Sequence, residues 1–93
     1  MAATAGDTVI TLNWTQSAES DVIGYKVYRD NGLTPLDNNL IPKNQPTFMD
    51  IGLTNGKTYT YTISVIDNLN QEGTKSSPIQ AVPQAGIEWG GSQ

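Results

Sequence analysis

Leu53-Thr54-Asn55-Gly56-Lys57-Thr58-Tyr59-Thr60-Tyr61-Thr62-Ile63-Ser64-Val65-Ile66-Asp67 is the stretch whose reading decides the fold. From Tyr59 onward it alternates: Tyr59, Tyr61, Ile63 and Val65 share one face, and Thr60, Thr62 and Ser64 share the other. A period of two over this length dictates a half-buried strand, not a helix. The β-branched Thr, Ile and Val side chains suit a pleated surface. Upstream, Leu53 enters the core, Asn55-Gly56 turns the chain, and Tyr59 opens the strand. A tyrosine there fills the floor of a core with its ring, while its hydroxyl satisfies a loop backbone group.

Working outward, Thr8–Trp14 alternates in the same way, with Ile10, Leu12 and Trp14 inward. Ile23–Arg29 is a third strand with Ile23, Tyr25 and Val27 inward, ended by the turn signal Asp30-Asn31-Gly32. Leu33–Leu36 is expected to form a short edge strand, Asp37–Pro46 a loop, Thr47–Asp50 a brief strand with Phe48 inward, and Ser77–Pro83 the last strand. Gln16–Asp21 and Asn68–Ser77 read as polar connections. Short strands separated by turns, without a sustained helical period, predict an all-β, two-sheet antiparallel sandwich.

Ninety-three residues suit one domain, placed at 1–84, with 85–93 as a Gly-rich flexible tail or linker. Met1 reads as the start of a piece cut from a longer parent chain, and Met1-Ala2-Ala3-Thr4 lacks the charged and apolar regions of a secretory signal. The chain contains no cysteine and no histidine. That removes disulfide staples, thiolate nucleophiles, the commonest general base and the commonest zinc ligand. The formal charge is −4, with Lys26, Arg29, Lys43, Lys57 and Lys75 scattered along the chain, so no basic stripe offers itself to nucleic acid. No apolar run approaches the length of a membrane span.

The Leu53–Tyr59 stretch resembles the tyrosine corner of Greek-key sandwiches, and the chain as a whole resembles the fibronectin type III family. Ile10-x-Leu12-x-Trp14 is similar to that family's strand B, and Asp21 followed by Gly24-Tyr25-x-Val27-Tyr28-Arg29 to strand C of its bacterial members. Tyr61-x-Ile63-x-Val65-x-Asp67 is similar to strand F, and Glu72-Gly73 through Ser76-Ser77-Pro78 to the F–G loop. The resemblance spans about residues 5–83. The usual opening proline and apolar residue are missing before Gly6-Asp7, so strand A is expected to be short or incomplete, leaving one sheet edge without partners. Ile87-Glu88-Trp89 has no family counterpart.

The resemblance implies a non-catalytic accessory or spacer module, monomeric, positioning neighbouring domains of an extracellular or cell-surface bacterial protein. The alternatives are a carbohydrate- or protein-binding module using polar loops and exposed Tyr28 and Trp89, or an edge-strand assembly element. Structural core positions are Trp14, Tyr25, Val27, Leu53, Tyr59, Tyr61, Ile63 and Val65. Catalytic, cofactor and metal residues are assigned to none. Asp21, Asp67 and Glu72 are expected near one pole, where calcium would need about six or more oxygens; the plainer reading makes Asp21 a turn cap and the others solvated. A carboxylate pair for glycoside hydrolysis lacks a cleft. Ser17, Ser20, Ser76 and Ser77 lack a histidine, and Lys26 and Lys57 face outward, away from any isopeptide triad. Asn55-Gly56 is deamidation-prone, but its role in the turn accounts for it.

Overall fold

The computed structural model describes residues 1–30, 32, 36 and 40–85. Seven strands form: β1 (Ala2–Gly6), β2 (Val9–Asn13), β3 (Val22–Arg29), β4 (Ile41–Pro42), β5 (Thr47–Asp50), β6 (Tyr59–Asp67) and β7 (Ile79–Ala81). They make a three-stranded sheet in the order β1-β2-β5 and a four-stranded sheet in the order β4-β3-β6-β7. All pairings are antiparallel. The two-sheet sandwich expected from the alternation is present.

The core lies between the sheets. Ile10, Leu12, Trp14, Tyr25, Val27, Ile41, Leu53, Tyr59 and Tyr61 are buried in one cluster, with Ala3, Phe48, Ile63, Val65, Ile79 and Ala81 half-buried against it. The Trp14 and Tyr25 rings meet edge to face, 5.3 Å between centroids at 83°, the arrangement that ring quadrupoles favour. Tyr25 also ties loops to the core: its hydroxyl donates to the Lys43 carbonyl at 3.0 Å and accepts from the Ser17 N–H at 2.9 Å.

Three expectations change. The first strand is short, but it pairs with β2 from Ala2↔Asn13 to Gly6↔Val9, so the edge of β2 is covered. Small inward alanines let β1 lie flat on the core without the missing apolar residue. Ile23 is not inward. The β3–β6 register shifts between Val22 and Gly24, which buries Val22 and leaves Ile23 40% exposed. An extra residue in one strand re-aims side chains in this way. The loop expected over Asp37–Pro46 contains β4, whose Ile41 and Pro42 pair with Tyr25 and Gly24. A side chain at Gly24 would collide with the Ile41 carbonyl, so glycine there admits the neighbouring backbone. Most of Leu33–Leu36, and the tail with Ile87 and Trp89, lie outside the described residues.

Candidate functional site

Polar chemistry gathers in four places, beginning at the corner. The Thr54 N–H donates to the Tyr59 hydroxyl oxygen at 2.9 Å, while Leu53 and Tyr59 are buried beneath it. This is the bond that the Leu53–Tyr59 spacing predicts. It is also the first cause that holds the Tyr59 phenol below its ordinary pKa. Gly56 has φ +86°, the left-handed backbone that glycine adopts without strain.

The second group is interior and was not legible in the sequence. Asp50 shares the inward face of β5 with Phe48 and is 7% exposed. Its Oδ2 accepts from Arg29 Nη1 at 2.8 Å and from the Tyr61 hydroxyl at 2.7 Å. Arg29 and Tyr61 belong to the opposite sheet, so one carboxylate bridges the sandwich. Burial first, and then the bond to Asp50, push the Tyr61 phenol far above its ordinary range. The bond to Asp50 likewise raises the Arg29 guanidinium. The same-face placement of Phe48 and Asp50 was the available signal, but it names no partner.

The third group covers the outer face of the four-stranded sheet. Tyr28, expected as an exposed contact residue, is 4% exposed. The β6–β7 connection folds back over it, held by the Gly73 N–H on the Val65 carbonyl at 2.9 Å and the Ser76 N–H on the Ile63 carbonyl at 2.7 Å. Glu72 on this connection accepts through Oε2 from the Tyr28 hydroxyl and from Ser64 Oγ, the latter at 2.5 Å. Lys75 Nζ stands 4.0 Å from the Tyr28 ring centroid, a cation–π contact. Burial, then the Glu72 bond, push Tyr28 up to about 12, and the Ser64 and Tyr28 bonds hold Glu72 below its ordinary range.

The fourth is a pocket at one pole, about 240 Å³, lined by Glu19, Asp21, Val22, Val65, Asp67, Gln71, Glu72 and Gly73. Asp21, Asp67 and Glu72 thus meet at the expected pole, but their carboxylates do not converge. Asp67 Oδ1 accepts from the Leu69 and Gln71 N–H groups at 2.9 and 2.8 Å, and Glu72 turns to Tyr28 and Ser64. Among the described residues no three acidic groups come together as a metal would need. Ser76 Oγ is engaged with Ile63 and Ser77 backbone, and Lys57 Nζ lies 5.2 Å from the Tyr59 ring centroid.

Fold and polar groups together define a small two-sheet β-domain whose polar side chains chiefly brace its own loops. No known family profile matches the chain. It is similar to the amylopullulanase of Thermoanaerobacterium saccharolyticum, 34% identical over 97% of this chain but 7% of that protein. The amylopullulanase of Thermoanaerobacterium thermosulfurigenes is also 34% identical, over 96% of this chain and 5% of that protein. The chain therefore matches a short region of much larger proteins. In structure it superposes on part of a β-1,2-glucanase from Parabacteroides distasonis at a TM-score of 0.72 and 21% identity, covering 90% of this chain and 12% of that one. The Family 28 exopolygalacturonase of Yersinia enterocolitica matches at 0.71 and 17%, covering 89% and 19%. These two likenesses support the fold.

Proposed function

We propose that this chain is a fibronectin type III module acting as a non-catalytic spacer between neighbouring domains of an extracellular bacterial glycoside hydrolase. One observation carries the reading: the match to amylopullulanase spans 97% of this chain and 7% of the relative, as a whole module within a larger chain would. The geometry supports it. Ala2 pairs with Asn13 at one end of β1, whereas the Gln84 N–H donates to the Gly6 carbonyl at the other. A rigid sandwich entered at one pole and left at the other sets distance and orientation between its neighbours. Asp50 is engaged with Arg29 and Tyr61, Glu72 with Tyr28 and Ser64, and no histidine is present to act as a base.

The binding alternative has less support. Tyr28 is covered, and the polar pocket of about 240 Å³ falls below the 300–1,000 Å³ or so usual for ligand sites. Edge assembly through β2 is blocked by β1. Affinity electrophoresis in gels containing starch or pullulan, with light scattering beside it, tests the reading. A spacer migrates unretarded and stays monomeric at all concentrations. Retardation by either α-glucan overturns it in favour of a binding module.

A further inference from the structure

Asn-Gly sequences deamidate readily because glycine hinders ring closure least. The Gly56 backbone nitrogen, once deprotonated, attacks Asn55 Cγ. A C–N bond forms, the Cγ–Nδ2 bond breaks, and Nδ2 leaves as ammonia. Water then opens the succinimide at either carbonyl, giving aspartate or isoaspartate; overall, asparagine and water become an acidic residue and ammonia. Both Asn55 and Gly56 are exposed, so solvent reaches the site.

The fold nevertheless holds every reacting group. Asn55 Oδ1 accepts from the Thr8 N–H at 2.8 Å, and Nδ2 donates to Asp7 Oδ1 at 2.9 Å. These bonds fix the side chain from both sides. The Gly56 N–H, whose proton must leave first, donates to the Pro83 carbonyl at 2.8 Å. The same junction is tied by the Leu53 N–H on the Thr8 carbonyl at 3.0 Å and the Gln84 N–H on the Gly6 carbonyl at 3.1 Å. Three segments distant in sequence thus close one clasp: the β1–β2 turn, the corner and the segment after β7. Thr8 sits at φ +60°, a conformation that a β-branched residue keeps only when its surroundings hold it there.

We propose that Asn55 is a modification site gated by this clasp. While the clasp is closed, succinimide formation is suppressed; when it opens, the reaction runs. The aspartate product places a carboxylate oxygen where Nδ2 donated to Asp7, so two like charges face one another and the clasp no longer closes as before.

The test is incubation of the full chain at mildly alkaline pH, folded and urea-unfolded, read on the proteolytic peptide that contains Asn55, separate from the Asn31-Gly32 peptide, by the mass change of NH replaced by O and by enzymatic isoaspartate labelling. The folded chain should accumulate product many-fold more slowly than the unfolded one, and Asp7→Ala should accelerate it several-fold under folding conditions. Asn55→Asp should melt lower than the unmodified chain at neutral pH and recover part of the difference on acidification through the carboxylate range. Equal rates in folded and unfolded chains overturn the proposal without any variant. A folded Asp7→Ala chain that reacts no faster, or an Asn55→Asp chain that melts like the original at neutral pH, also overturns it.

Discussion

The Tyr61 hydroxyl donates to Asp50 Oδ2 at 2.7 Å across the gap between the two sheets. Arg29 reaches the same oxygen from the Tyr61 side of the sandwich. A buried carboxylate is costly unless paired and hydrogen-bonded, and here a cation and a phenol meet both needs. The bridge contributes a fixed registration of the sheets at that end of the core.

Truncating the bridge should be expensive. Asp50→Ala leaves the Tyr61 hydroxyl without an acceptor and Arg29 without its partner, and is expected to cost about 3 kcal/mol. Tyr61→Phe keeps the Arg29 pair and should cost about 1–2 kcal/mol. Urea titration reads both as a lower midpoint at unchanged slope. An Asp50→Ala midpoint equal to that of the unmodified chain would show that the bridge adds nothing.

Trp14, directly after β2, is 9% exposed and packs edge to face against Tyr25. Its indole N–H is buried and finds no acceptor among the described residues, so its contribution is packing. Trp14→Ala should cost about 3–5 kcal/mol, a large share of the roughly 5–15 kcal/mol that holds an ordinary domain. A mutant melting within a few degrees of the original contradicts the burial.

Alkaline pH should unfold the protein through Tyr28 and Tyr61. Both phenols titrate higher in the fold than free tyrosine, Tyr28 at about 12. Raised values mean that the neutral hydroxyls are preferred when folded. Their contribution is complete below the ordinary tyrosine pKa of about 10 and is lost as pH rises above it toward the folded values. After the earlier ionisation of Tyr59, the further phenolate absorbance of Tyr28 and Tyr61 should therefore appear together with loss of β-sheet circular dichroism, and Tyr28→Phe should weaken the dependence. A melting temperature flat from about pH 9 to 12 contradicts this.

Acid acts in the opposite sense at Glu72. Its folded pKa is depressed by the Ser64 and Tyr28 hydrogen bonds, so its contribution is present above the ordinary carboxylate pKa and is lost as pH falls through the folded value. Glu72→Gln should flatten the acid limb of the stability profile and loosen the β6–β7 connection. Amide exchange at Gly73 and Ser76 reads the second effect; protection unchanged in the variant would show that backbone bonds alone hold the connection.

What the sequence by itself determined was local. The alternation of Tyr59–Val65 and Ile10–Trp14 placed strands and most of the inward side chains, because a strand's faces are set by a period of two. The corner was legible because turn chemistry and a tyrosine lie within one stretch, and Thr54 meets Tyr59 across 5 residues. Tertiary structure decided the rest. The shift that turns Ile23 outward arises where β3 must meet β6, and β4 is too short to carry a periodic signal of its own. Tyr28 is covered by Glu72 from 44 positions away, and Asp50 finds Arg29 across 21 and Tyr61 across 11. Alternation tells which face a side chain takes; only the closure of two sheets and their loops tells what it meets there, because hydrogen bonding acts through space over a few ångströms, whatever the distance along the chain.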